Sequence, residues 1–354
     1  MRKGKEEGDE EGTATAITAA PGTITAAAPL PGTAAIVAPE RGLAAATEGA
    51  VPLLALQPRQ ALAELLFWTQ IFKDHMVMYR DMLADEHAAL KRRAYGLQTG
   101  WSALEQVLLM PETPGYTGVG QDPTDLRENA SNSSKVFQRL LEQTRRYKVG
   151  VLDAIRIGVW PGFVFESFVR ETIDEADYAL ELLVTGVDLE TRVRFWNRHA
   201  GDHAALNAHL TDPAEFMRPD VARQWQFAAA FEALAQPHDT WARRACTSAA
   251  LAADGCWREH AAQSAAQAAE FLGALLEAQQ RARDLRGLPF SSVISPLLMD
   301  HTIREVMYGI AALKGEPSPA VAVYARLAQA ESARPPTNGD RSAAVPPHSP
   351  SPYF

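Results

Sequence analysis

The residues best suited to chemistry are histidines and glutamates that recur at helical spacing. His75 and His203 each end a segment in which Phe-Trp is followed, after five residues, by Asp-His. Glu171 precedes Glu175 by four residues, and His301 precedes Glu305 by the same interval. Side chains four residues apart lie on one face of a helix, so each pair can point at one ion. Imidazoles and carboxylates without a thiol are typical ligands of iron, manganese or zinc.

These ionisable residues occupy positions where a bundle helix normally buries apolar side chains. Steps of three or four residues connect them to large apolar residues in four stripes. The stripes are Trp68, Ile71, His75, Met78 and Met82; Phe168, Glu171, Glu175, Tyr178 and Leu182; Trp196, His199, His203, Leu206 and Leu210; and Leu297, His301, Glu305, Tyr308 and Ala312. A buried imidazole or carboxylate must be paired, hydrogen-bonded or bound to a metal. The stripes therefore predict buried polar sites.

The sequence also repeats itself. Phe67–His75 and Phe195–His203 share Phe-Trp and Asp-His at an offset of 128 residues. Arg170–Tyr178 and Asp300–Tyr308 share Thr-Ile, Glu and Tyr at an offset of 130 residues. Two matched segments at nearly one offset predict a duplicated unit, and a unit of this size suits a four-helix bundle.

We expect each unit to hold its own metal site, with iron or manganese as the ion and zinc less favoured. The second site would use His203, His301 and Glu305, and His199 would be an extra ligand. The first site would use His75, Glu171 and Glu175. Asp74 and Asp202 lie beside the stripes and are expected to orient a neighbouring ligand. Further carboxylates would come from Glu105, Glu142, Glu232 and Glu277.

A structural role is the alternative. A histidine on an apolar face is commonly a packed, hydrogen-bonded residue, and a His–Glu pair between helices can form without a metal. The chain would then be a non-enzymatic helical interaction module. Duplication favours metal binding, because the same unusual placement occurs twice. The sequence assigns neither a reaction nor an oligomeric state.

Helices must position these residues. Between residues 57 and 314 helix-forming residues dominate and β-branched runs are scarce, so the predicted fold class is all-α. We predict two tandem four-helix bundles, at 57–186 and 187–314. The eight helices are expected near 60–82, 86–109, 125–156, 163–184, 190–210, 213–236, 242–285 and 290–313. Residues 1–56, rich in Ala, Thr and Pro, and the Pro-rich residues 315–354 are predicted disordered tails, the latter interrupted by a short helix over 320–333.

Composition excludes several classes of function. With 34 basic and 43 acidic residues, the net charge of −9 disfavours nucleic-acid and anionic-membrane partners. No apolar run is long enough for a transmembrane helix, and the acidic, Pro-containing beginning argues against a targeting peptide. Two cysteines are too few for a disulfide framework or a four-thiolate site, which indicates a reducing compartment, and we expect the cytoplasm.

The duplicated motifs resemble those of a bacterial family of unknown function that is built from two ferritin-like four-helix bundles. The resemblance rests on Phe67–His75 and Leu298–Tyr308 and covers about residues 60–313. It implies a metal-binding helical protein with no assigned reaction. Ferritin-type di-iron proteins use Glu-x2-His, whereas this sequence has His-x3-Glu, so ferroxidase or oxygenase activity is not implied. A single ion per bundle is compatible with this spacing. Hemerythrin-type bundles use His-x3-Glu but need more histidines than either unit provides.

Overall fold

Nine α-helices make up almost all of the chain that the computed structural model describes, which is residues 51–109, 123–159, 161–210, 219–235, 255–284 and 296–332. The helices are α1 (Pro58–Met82), α2 (Ala88–Leu109), α3 (Pro123–Arg156), α4 (Glu166–Val184), α5 (Leu189–His209), α6 (Pro219–Ala235), α7 (Gly255–Asp284), α8 (Pro296–Leu313) and α9 (Pro319–Ser332). Within these ranges no strand forms, apart from an isolated antiparallel bridge between Leu83 and Gly162. The predicted all-α class is confirmed.

Local sequence explains where the helices begin and end. Five of the nine begin with proline, which lacks the N–H that a first helical residue cannot pair. Asp188 caps α5, because its carboxylate accepts a hydrogen bond from the Thr191 N–H at 2.7 Å. Gly186 ends α4 with a φ of +75°, and a side chain there would meet the backbone of Val51 at 2.5 Å. The first residues of the helix expected at 213–236 lie outside the described residues.

The helices pack as two sets, α1 to α4 and α5 to α8. α1 packs against α2 and α3, and α3 packs against α4. α5 packs against α6, α7 and α8, and α7 packs against α8. Contacts of α1 with α8 and of α4 with α5 connect the two sets, and all described residues belong to one compact unit. Helices α1, α4, α5 and α8 are therefore the ones that meet between the sets.

The folded region extends beyond the predicted boundaries at both ends. Leu53 lies in a short 3-10 turn, Leu53–Ala55, and is buried. At the other end α9 packs on α1 and α8, with Ala320 and Val323 fully buried. The assignment of 315–354 to a tail is therefore wrong for residues 319–332, whereas the short helix expected near 320–333 is present. Residues 1–50 and 333–354 lie outside the described residues.

Within the described ranges, no helix combines the length and apolar character needed to cross a bilayer. Cys256 on α7 is buried, and Cys246 lies outside the described residues. The cytoplasmic location stays a prediction.

Candidate metal centre

Seven imidazole and carboxylate side chains from four helices meet in the interior. None of them is more than 5% exposed. They are His75 on α1, Glu171 and Glu175 on α4, His199 and His203 on α5, and His301 and Glu305 on α8. All six residues predicted as ligands are among them, together with His199.

Glu305 is the residue around which the imidazoles gather. Its Oε2 atom lies 2.7 Å from His203 Nε2 and 3.1 Å from His301 Nε2. The same oxygen is 3.4 Å from His199 Nε2. One carboxylate oxygen thus faces three imidazole nitrogens, and the expected convergence of His203, His301 and Glu305 is present.

His75 and Glu175 complete one side of the cluster. His75 Nε2 lies 3.1 Å from His301 Nε2 and 3.1 Å from Glu175 Oε2. These contacts join α1 to both α8 and α4. His75 therefore contacts a residue of each predicted unit.

Glu171 lies on the other side of the cluster. Its Oε1 atom is 3.4 Å from His199 Nδ1 and 3.3 Å from His203 Nδ1. Glu175 Oε1 is 3.7 Å from His199 Nδ1. His199 and His203 thus lie between Glu171 and Glu305.

Three groups in this cluster have ligand atoms within 4.8 Å of one another, close enough to hold a metal ion. The groups are His75, His301 and Glu305; Glu171, His199 and His203; and Glu175, His199 and Glu305. Every group combines residues from 57–186 with residues from 187–314. The expectation of two separate sites, one inside each unit, is therefore wrong, because the ligand-bearing helices of both sets face each other.

Residues matched by the sequence repeat make matched contacts. The contact between His75 and Glu175, 3.1 Å, corresponds to that between His203 and Glu305, 2.7 Å. Farther along the same helices, Phe67 stacks on Tyr308 with ring centroids 4.4 Å apart, and Phe195 stacks on Tyr178 at 4.0 Å. The two His–Glu contacts lie within one sequence unit each. Both stacking contacts instead join a residue of one unit to a residue of the other.

A second layer of polar groups holds the histidines in place. Asp74 pairs with Arg304 and lies 3.6 Å from His301 Nδ1, so the expected orienting role of Asp74 is supported, though its partner belongs to the other unit. The fully buried Lys148 lies 3.1 Å from His75 Nδ1 and donates a 2.7 Å hydrogen bond to the Thr172 carbonyl. Both contacts leave the Nε2 atoms of His75 and His301 facing the cluster.

Lys148 and Arg304 were missed in the sequence. Lys148 continues the apolar stripe of α3 at Leu141, Thr144 and Val151, all four residues being fully buried. A lysine at such a position needs a partner, which is the same signal that identified the histidines. Arg304 follows no comparable pattern, since only the fold brings it to Asp74 on α1.

The three carboxylates of the cluster differ in the direction in which their pKa values are shifted. Burial raises the pKa of both Glu171 and Glu175 well above the ordinary value, and the charge of Glu305 adds to the effect at Glu175. Burial acts in the same direction on Glu305, but the adjacent His301 and His199 outweigh it and hold the pKa of Glu305 well below the ordinary value. Glu305 is therefore the carboxylate that is most stably ionised.

The histidines divide in the same way. Burial, reinforced by the charge of Lys148, holds the pKa of His75 well below its ordinary value. Burial and the neighbouring His203 lower the pKa of His199 to about 4. For His203 and His301 burial is outweighed by Glu171 and Glu305 respectively, so both pKa values are raised. His75 and His199 are neutral near pH 7 and offer a free nitrogen lone pair, the form in which imidazole binds metals.

Several buried oxygens of the cluster accept no hydrogen bond within the described residues. They are Glu171 Oε1, both carboxylate oxygens of Glu175, and Glu305 Oε1. A buried carboxylate oxygen without a donor costs free energy, because it has lost its hydration. A bound cation is the simplest group that would satisfy four imidazoles and three carboxylates together.

The further carboxylates proposed from the sequence lie elsewhere. Glu105 accepts hydrogen bonds from Lys73 at 2.7 Å and Gln70 at 3.1 Å. Glu142 accepts one from Gln138, and Glu277 pairs with Arg223 at the surface. Glu232 is exposed. These four glutamates lie on α2, α3, α6 and α7, which contribute none of the seven residues of the cluster.

Comparison with known proteins supports the fold and names no function. No known protein-family model matches the chain. Over 166 residues the chain is 22% identical to an uncharacterized protein of Acanthamoeba polyphaga mimivirus, a match that spans 46% of this chain and 51% of that protein. The chain thus spans about half the length of the curated relative it matches. The crystal structure of an uncharacterized protein from Bacillus cereus G9241 is similar, with a TM-score of 0.56 and 16% identity over 73% of this chain and 92% of that one. At this identity the likeness concerns the fold alone.

Proposed function

We propose that the cluster binds two transition-metal ions, iron or manganese, at the junction of two duplicated ferritin-like four-helix units. His75 and His301 would hold one ion, and Glu171, His199 and His203 the other. Glu305 and Glu175 would lie between them. Such ions supply Lewis-acid or redox chemistry.

The donor set supports this proposal. Two of the groups that can hold an ion share no residue, and the third links them through Glu305 and His199. The single observation that carries most weight is the position of Glu305 Oε2 within 3.4 Å of three imidazole nitrogens. A purely structural His–Glu contact needs one partner for each group, whereas this arrangement brings several donors to one point.

The charges support it as well. Three carboxylates are buried beside one another, and one fully buried ammonium group, that of Lys148, lies within reach. Divalent cations would neutralise this excess and would accept the lone pairs of His75 and His199. Without a cation, burial disfavours the ionised forms of Glu171 and Glu175, which is why their pKa values are raised.

Elemental analysis tests the proposal directly. The full chain, purified without a histidine tag and loaded with ferrous iron or manganese, is expected to retain about two equivalents after gel filtration. Glu305→Gln keeps the size of the side chain and is expected to lose most of the metal. Glu277→Gln, an exposed carboxylate on α7, is the matched control and should retain it.

The alternative is a non-enzymatic helical interaction module whose His–Glu contacts only fix the packing of the helices. It predicts less than about 0.1 equivalent of any transition metal even after loading. It also predicts that Glu305→Gln destabilises the protein equally with and without a chelator. Either result would refute the metal proposal.

A further inference from the structure

A small apolar pocket lies directly beside the candidate metal centre. It is a cavity of about 10 Å³, lined by Trp196, His199, Ala200, Ala268, Val306 and Gly309 among others. This volume is just enough for one molecule of about the size of water. Because His199 also faces Glu171 and Glu305, the pocket adjoins the proposed ion at that ligand.

The lining offers almost nothing to a polar molecule. Asn197, its second polar residue, donates its amide hydrogens to Ser264 Oγ at 2.8 Å and to the Leu234 carbonyl at 3.3 Å. Its Oδ1 atom has no hydrogen-bond partner among the described residues and is a single acceptor. A buried water needs two to four polar partners, and a charged ligand would lose its hydration without compensation. A small uncharged molecule loses little by entering such a pocket.

The two repeats differ at residues that line this pocket. At the offset of 128 residues, Ala200 corresponds to Phe72, and His199 corresponds to Ile71. The Phe72 ring is fully buried and stacks on Trp101 with centroids 5.4 Å apart, so it fills the corresponding space. The second repeat therefore carries an imidazole and a methyl group, His199 and Ala200, where the first carries Ile71 and Phe72.

We propose that this pocket binds a small uncharged molecule of the dioxygen class next to His199, from where it reaches the ion held there. The inference rests on the proposed function. It identifies the class of ligand by size and polarity: an organic substrate does not fit, and an anion finds no donor. The exchange of Phe for Ala at residue 200 is what makes the position accessible.

Nitric oxide, an uncharged diatomic that binds ferrous iron reversibly, is a suitable probe. The iron content of each protein is measured first, and nitric oxide is then mixed anaerobically with the ferrous full chain while absorption is followed. Ala200→Phe, which restores the residue of the other repeat, is expected to slow association by about tenfold or more, because close-packed interiors leave no other space. Its iron content should be unchanged.

Ala200 directly follows the proposed ligand His199, so its replacement can displace that ligand as well as fill the pocket. A second variant on another helix separates the two effects. Ala268 lines the pocket from α7, a helix that carries no ligand, and Ala268→Leu is expected to slow association similarly. Ala265→Leu is the matched control, since Ala265 is equally buried on α7 but is not part of the lining. It should leave the rate near that of the unmodified protein.

The outcomes separate the two proposals. If the unmodified protein retains neither iron nor manganese after loading, the proposed function fails and this inference fails with it. If it retains manganese but no iron, only this inference is overturned. If iron is retained but association is equally fast in all variants, or is slowed equally by Ala265→Leu, only the pocket inference is overturned. If Ala200→Phe does not fold, the comparison of Ala268→Leu with Ala265→Leu decides alone.

Discussion

Glu305 and His203 are separated by 102 positions in the sequence, yet Glu305 Oε2 lies 2.7 Å from His203 Nε2. Both residues belong to the second repeat, but each also lies beside a residue of the first. His203 contacts Glu171, and Glu305 shares a possible ion-binding group with His75. The two repeats therefore share a single polar centre. Changes on either repeat are expected to act on the same centre.

Loss of Glu305 should affect both proposed ions. In Glu305→Gln the amide cannot supply the negative charge that faces three imidazoles, so metal retention should fall from about two equivalents to well below one. Elemental analysis after loading measures this, with Glu277→Gln as the control. Retention of one full equivalent would show that one ion is bound without Glu305.

A double variant distinguishes one shared centre from two separate sites. His301→Ala and Glu171→Gln should each remove most of the rise in melting temperature that iron or manganese produces, because ligand binding to the folded state stabilises it. At 100 times Kd that stabilisation is about 2.7 kcal/mol for one site. In a shared centre the double variant loses little more than either single variant.

Additive losses in that experiment would contradict the shared centre. Residues far apart without common partners usually act independently, so two separate sites would each lose their own part of the stabilisation. Thermal unfolding of all four proteins, with metal and with chelator, provides the comparison. The chelator-treated proteins show how much of each change is unrelated to metal.

Periodicity was sufficient to predict that the described segments are helical and that their histidines and glutamates on apolar stripes are buried. A single helix face carries Trp68, His75 and Met78, and all three are buried as the 3.6-residue period requires. Burial of an ionisable residue on an apolar stripe depends only on local spacing, so the sequence could identify it. The repeat then pointed to Glu171 and Glu175 through their match to His301 and Glu305.

The pairing of the two repeats could not be obtained in this way. A stripe shows that His75 faces an interior, but not that His301 of the other repeat lies opposite, 3.1 Å away. The position of α9 was missed for a similar reason: its anchor, Glu64, is a distant carboxylate on α1. Contacts between distant segments depend on packing of the whole fold, and spacing within one segment carries no information about them.

The metal-free protein should be stabilised by removing one buried carboxylate. Burial and the charge of Glu305 raise the pKa of Glu175 well above its ordinary value of 4.5. A raised folded-state pKa contributes stability that is present below pH 4.5 and is lost as the pH rises through the folded-state value. In chelator, Glu175→Gln should therefore exceed the unmodified protein in stability at pH 8 by about 1–3 kcal/mol, and the difference should shrink as the pH falls.

Urea unfolding between pH 5 and 8 measures this difference. Glu232→Gln, at an exposed position on α6, is the control and should leave the pH profile unchanged. With metal present the sign should reverse, since Glu175 then serves as a ligand. A Glu175→Gln profile parallel to that of the unmodified protein would show that Glu175 does not titrate in this range.

Removal of α9 should destabilise the protein, although a boundary at residue 314 would make it dispensable. Glu64 accepts hydrogen bonds from the Ser318 hydroxyl at 2.8 Å, the Ala320 N–H at 3.0 Å and the Tyr308 hydroxyl at 2.6 Å. Deletion of residues 315–354 removes the first two donors and exposes the surface on which Ala320 and Val323 pack, so we expect a loss of about 2–4 kcal/mol in urea unfolding. Deletion of 333–354 alone is the control and should change little. A helix that shields Glu64 and an apolar surface from water cannot be removed without a loss of stability. Equal stability of the two truncated proteins would therefore contradict this role of α9.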